Sequence, residues 1–127
     1  MPIKTACVRE LKALPKDAYT VIVMRYFPFW ARIKNKYSLN APELGPEAWL
    51  LEELHSWDKR YGRERAWELS KFETHYRRYI VRSSKALETI RKLKEIAKTK
   101  DVYLICHEVE DTFCHRRILK DIMEKLY

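Results

Sequence analysis

The hydrophobic positions of this chain follow two rhythms, and the switch between them marks its elements. Ile3 to Val8 reads as a short extended segment, with Ala6 and Val8 on one face and Thr5 and Cys7 on the other. Leu14-Pro15-Lys16-Asp17 reads as a turn. Tyr19-Thr20-Val21-Ile22-Val23-Met24 is continuously apolar and β-branched, the pattern of a strand buried on both faces, and Pro28 ends it. Val102-Tyr103-Leu104-Ile105 repeats that pattern and predicts a strand over 102–106. Between these strands the apolar spacing becomes helical. Pro46 fits a first helical turn, Glu47, Glu52 and Glu53 favour the N-terminal half, and Gly62 supplies the stop after Tyr61. Trp49, Leu50, Leu54 and Trp57 form the stripe of that helix. A second helix is expected from Arg63 to about Arg82, carrying Trp67, Phe72, Tyr76, Tyr79 and Ile80. Ser83-Ser84 separates it from a third, whose buried face is Leu87, Ile90, Leu93, Ile96 and Ala97. An amphipathic helix over Ile118 to Leu126 closes the chain, with Asp111 or Thr112 as its cap.

The order strand, strand, helical stretch, strand, helix permits a parallel crossover between 19–26 and 102–106. The expected fold is α/β: a single small domain over residues 1–127, with a mainly parallel central sheet of three or four strands flanked by helices. A fourth strand would have to come from residues 29–40. A hydrophobic fraction of 46% excludes a disordered chain. No apolar run approaches the roughly 20 residues of a membrane span. Met1-Pro2-Ile3-Lys4-Thr5 lacks the apolar core of a signal peptide, so a cytoplasmic protein with no membrane partner is expected. Three cysteines cannot all pair within one chain, and in a reducing compartment they are thiols, ligands or core residues. With two glycines and abundant Lys, Arg and Glu, the composition suits short loops and a charge-laced surface, as in thermophile proteins.

The net charge of +8 is uneven: residues 1–57 carry +2, residues 58–100 carry +8 and residues 101–127 carry −2. A basic helical middle suits a polyanion, and Lys59, Arg60, Arg63, Arg77, Arg78 and Arg82 are the candidate nucleic-acid contacts. The alternative is a solvated helical face.

Candidate chemistry gathers elsewhere. Cys106-His107-Glu108, five residues, then Cys114-His115-Arg116 sit between the last strand and the last helix, where α/β folds place ligands. A helix N-terminus and Arg116 would both favour a Cys114 thiolate as nucleophile or redox centre. His115 would carry the proton and Glu108 would act as the orienting base. Arg25 and Arg116 would clamp an anionic small molecule alongside Cys106. This reading expects Cys114 and Arg116 to be accessible in one pocket, and Glu108 to pair with Arg25. Cys106, His107 or Glu108, Cys114 and His115 also form a chemically reasonable divalent-metal set, although the spacing is not that of a CxxC site. No cofactor is predicted, and the metal is the lesser alternative. The spacing excludes a tyrosine-phosphatase loop, and no Walker A loop or dinucleotide glycine fingerprint is present. His55 and His75 read as helix-face residues. Trp49, Trp57, Trp67, Phe72 and Tyr76 read as core rather than as a base-stacking platform. Phe27-Pro28-Phe29-Trp30, if exposed, would wall a pocket or meet a partner.

These residues resemble the domain-of-unknown-function 488 family of small prokaryotic proteins. That family commonly carries a strand ending in Cys-x-Glu, a short loop, and Cys-His-Arg opening a helix. Here these are Leu104-Ile105-Cys106-His107-Glu108 and Cys114-His115-Arg116. Some members also carry Val-Asp-Arg-Leu-Trp-Pro-Arg-Gly after an early strand. Val23-Met24-Arg25-Tyr26-Phe27-Pro28-Phe29-Trp30 matches it at Arg25 and Pro28, with Met24 replacing the acidic residue and Phe29 and Trp30 replacing the second arginine and the glycine. The resemblance implies a compact α/β domain and supplies no function.

Overall fold

In the computed structural model, residues 3–26, 36–106 and 114–126 are described. Four strands form one parallel sheet in the order β1-β4-β2-β3. They are β1 (Ile3–Cys7), β2 (Tyr19–Ile22), β3 (Leu39–Asn40) and β4 (Val102–Cys106). The fourth strand does come from the end of the 29–40 segment. β4 sits between β1 and β2, with Cys106 in register with Cys7 and Val21 with Leu104. The two apolar strands are central, and Val21, Ile22, Leu104 and Ile105 are completely buried. Their continuous apolar runs follow from cover on both faces. Parallel pairing brings the carboxyl ends of β1, β4 and β2 to one edge.

The helices are α1 (Ala48–Tyr61), α2 (Arg63–Leu69), α3 (Phe72–Arg82), α4 (Ser84–Ile96) and α5 (His115–Leu126). Gly62 ends α1 at φ 87°, a conformation that suits glycine. The Ser83 hydroxyl accepts from the Ala86 N–H at 3.2 Å and caps α4. A 3₁₀ turn over Val8–Ala13, absent from the sequence reading, follows β1 directly. The Cys7 thiol and the Glu10 carboxylate hold its start through the backbone N–H groups of Arg9 and Cys7.

The single helix expected over 63–82 is two. Ser70-Lys71 breaks it, with Lys71 left-handed at φ 52°. On an unbroken helix Trp67 and Phe72, five residues apart, would point about 140° apart. The break turns both inward, and their rings stack with centroids 4.3 Å apart. Phe72, Tyr76 and Ile80 then form the fully buried face of α3. Each such side chain contributes about 1.5–3 kcal/mol of hydrophobic stabilisation. α3 packs on α1 and α5, and α5 packs on β1 and β4. Trp49 departs from its expected core position and is 44% exposed. No helix among the described residues is long and apolar enough to cross a membrane.

Candidate functional site

The carboxyl edge of the sheet is where the chemistry-bearing residues meet. β4 delivers Cys106 and the start of α5 delivers Cys114 and His115. All three are buried, at 4%, 3% and 6% exposure. The sulfurs of Cys106 and Cys114 are 3.1 Å apart, and neither is in a disulfide. His115 Nδ1 lies 3.8 Å from the Cys106 sulfur and 3.9 Å from the Cys114 sulfur. His115 Nε2 is 2.6 Å from the Val23 carbonyl oxygen at the end of β2. A carbonyl only accepts, so Nε2 carries the proton and the Nδ1 lone pair is turned toward the two sulfurs. The edge of the Tyr76 ring meets the imidazole at a centroid distance of 5.5 Å. The Tyr76 hydroxyl donates to the Leu44 carbonyl at 2.6 Å, and burial holds this phenol well above its ordinary pKa.

The thiolate expected at Cys114 is not what this cluster favours. The neighbouring Cys106 sulfur and burial push the Cys114 thiol up, against a smaller opposing effect of His115. The helix begins at His115, so Cys114 precedes it rather than lying in its first turn. Arg116 does not share the pocket with Cys114. It is 2% exposed, and its Nη1 donates to the Ala6 carbonyl of β1 at 2.9 Å. Cys114 precedes the helix and lines the cavity, whereas Arg116 lies in its first turn and reaches β1, so the two diverge despite their closeness in sequence.

Arg25 does reach the thiol cluster's side of the sheet. It follows β2, is half-buried, and is held by neutral groups. Its Nε donates to the Pro46 carbonyl at 2.6 Å and its Nη2 to the Tyr79 hydroxyl at 3.1 Å and the Gly45 carbonyl at 3.4 Å. The Tyr79 hydroxyl in turn donates to the Glu43 carbonyl at 2.8 Å. Gly45 makes this possible: a Cβ there would overlap the backbone of Met24 and Arg25. Among the described residues no carboxylate pairs with Arg25, so its charge is not neutralised there. The expected partner Glu108, like His107, Asp111, Thr112 and Phe27-Pro28-Phe29-Trp30, lies outside the described residues.

A cavity of about 250 Å³ opens among these groups. Arg25, His55, Cys106, Cys114 and His115 line it, and Leu54, Trp67 and Phe72 form an apolar wall. His55 therefore faces a cavity rather than only solvent. Its position on α1 gave no sign of this, because the cavity forms only when α1 meets the sheet edge. Tyr79 was legible as part of an apolar stripe but not as the partner of Arg25.

The basic candidates are scattered by comparison. Arg63 bridges Asp58 at 3.1 Å and also lines the cavity. Arg77 bridges Glu73 at 3.0 Å and Asp121 at 2.9 Å. Lys59, Arg60, Arg78 and Arg82 are exposed. Arg78 and Arg82 line a separate depression with Trp49 and His75, whose rings meet edge-on at 5.0 Å.

A family model described as "Active DUF488-N3 subclade" matches residues 3–126. No curated protein and no solved structure matches the chain.

Proposed function

The chain belongs to the domain-of-unknown-function 488 family, and we propose that it is a small enzyme or ligand-binding domain that takes an anionic group into the cavity at the carboxyl edge of its sheet. One observation carries this reading: an arginine without a carboxylate partner among the described residues lines the same cavity as two thiols and an imidazole. Arg25 is the anion-holding group, already oriented by two carbonyls and a phenol that leave its charge intact. The apolar wall lowers the local dielectric and strengthens that attraction. Cys106, Cys114 and His115 supply the chemistry, and the match to a subclade described as active supports a working site. Carboxylate- and phosphate-bearing small molecules are the substrate class.

Calorimetric titration with inorganic phosphate tests this. Loss of a charge-assisted hydrogen bond costs about 1.5–3 kcal/mol, so Arg25→Gln should weaken phosphate about tenfold or more, and Arg25→Lys should weaken it less. Equal phosphate affinity in the wild type and both variants would overturn the reading.

The depression around Trp49 supports a second reading, a nucleic-acid or anionic-partner surface. An exposed tryptophan beside Arg78 and Arg82 combines a stacking face with phosphate-pairing cations. Binding there should weaken with salt at about one log–log unit per phosphate neutralised.

A further inference from the structure

We infer that Cys106, Cys114 and His115 supply three donors of a site for a zinc-like divalent cation at the edge of the cavity. This deepens the anion reading, because a cation at these donors would add positive charge to the cavity that Arg25 lines, yet cation binding stands or falls separately.

The donor geometry carries the inference. The three ligand atoms lie within 4.8 Å of one another. Zinc bonds of about 2.3 Å to sulfur and 2.0–2.1 Å to nitrogen place tetrahedral neighbours about 3.6 Å (N–S) and 3.8 Å (S–S) apart. The observed N–S separations of 3.8 and 3.9 Å are close to that edge. The sulfurs, at 3.1 Å, need to part by about 0.7 Å, a small rotation of one cysteine side chain. The imidazole is already set in the ligand tautomer: Nε2–H is tied to the Val23 carbonyl and Nδ1 faces the sulfurs. A backbone carbonyl on the far ring nitrogen is the usual outer partner of a metal-bound histidine.

Charge and donor type favour the same cation. Binding converts two thiols to thiolates and releases two protons, so a dication and its ligands form a neutral centre, which is the inexpensive way to bury it. Two thiolates and an imidazole select a soft or borderline ion such as Zn²⁺ over Mg²⁺ or Ca²⁺. Three protein donors meet among the described residues, and tetrahedral zinc takes a fourth ligand beside them. Cys7 supplies a contrast. It is in register with Cys106 on the adjacent strand, yet its sulfur accepts from the Arg9 N–H and stands outside the donor group.

The test uses the whole chain, stripped by a chelator and kept reduced. Co²⁺ titration should give one equivalent bound, with thiolate-to-cobalt charge-transfer absorption and the visible bands of tetrahedral cobalt. Zn²⁺ should displace it. Native mass spectrometry of the wild type should show one zinc bound with two protons lost, a readout that needs no variant to fold. Cys106→Ser and Cys114→Ser should each weaken Co²⁺ by more than the about 10–100-fold that loss of an outer partner costs. Cys7→Ser should not weaken it. Absence of the charge-transfer band in the wild type, or zinc bound without proton loss, overturns the inference. If phosphate still binds in that case, the anion reading survives alone. If cobalt binds and phosphate neither binds nor alters its spectrum, the metal site survives and the anion reading falls.

Discussion

Two regions of this molecule concentrate polar residues, and they treat them in opposite ways. At the carboxyl edge of the sheet, Cys106, Cys114, His115 and Arg25 converge on one cavity, where backbone carbonyls hold His115 and Arg25 and a phenol also meets Arg25. In the helical middle, where the sequence carries most of its net charge, Arg63 and Arg77 are closed onto carboxylates while Lys59, Arg60, Arg78 and Arg82 stay exposed. Arg77 joins Glu73 and Asp121, and Arg117 and Lys125 of α5 join the same two carboxylates, a network linking α3 to α5. The lesson is that formal charge and available charge differ. A paired cation has little attraction left for an anion, whereas Arg25, met by neutral acceptors among the described residues, keeps its charge available.

The sharpest way to break the comparison is at the wall the two regions share. Phe72→Ala removes a buried ring that stacks on Trp67 and lines the cavity. It should cost about 3–5 kcal/mol of stability, read by denaturant unfolding. A cost below about 1 kcal/mol would mean that the wall is not a packed core. Gly45→Ala is next. Its methyl group would collide with the backbone of Met24 and Arg25. Overpacking of this kind costs about 1–3 kcal/mol and should displace Arg25, so phosphate affinity should fall together with stability. Stability lost with phosphate binding intact would separate Arg25 from the anion.

Arg77→Gln probes the other region and should do least. Hydrogen bonds from Arg77 and Lys125 hold the Asp121 carboxyl below the usual carboxylate range. A carboxyl whose pKa is depressed in the folded state adds stability above its unfolded pKa and loses it as pH falls through the folded one. The gap in thermal stability between wild type and Arg77→Gln should therefore be present at neutral pH and close as pH drops below the carboxylate range. Exposed pairs are screened, so the gap should be small and should shrink further in salt. A gap that grows on acidification would contradict the pairing.

The elements were more legible than the contacts. β4 falls on 102–106 as its apolar run indicates, and Gly62 and Ser83 end or begin helices where their chemistry requires. These are local properties of the chain. The break at Ser70-Lys71 was hidden, because Trp67 and Phe72 look like members of one stripe until a shared core must accept both rings. The site was legible in part. The Cys106 and Cys114 segments do meet, and Arg25 does emerge near Cys106, as parallel neighbouring strands require. What the sequence could not reveal is non-local. Arg25 is met by Gly45, Pro46 and Tyr79, and Arg116 turns away to Ala6. The packing of the last helix on β1 decides the second outcome, and a distant turn decides the first.

The two regions are separated most directly by mapping backbone amide shifts as inorganic phosphate is added to the whole chain. The account predicts saturable shifts at Met24, Arg25, Cys106, Cys114 and His115, lost in Arg25→Gln. Shifts confined to Trp49, His75, Arg78 and Arg82, with the sheet edge unmoved, would contradict it and assign anion binding to the helices.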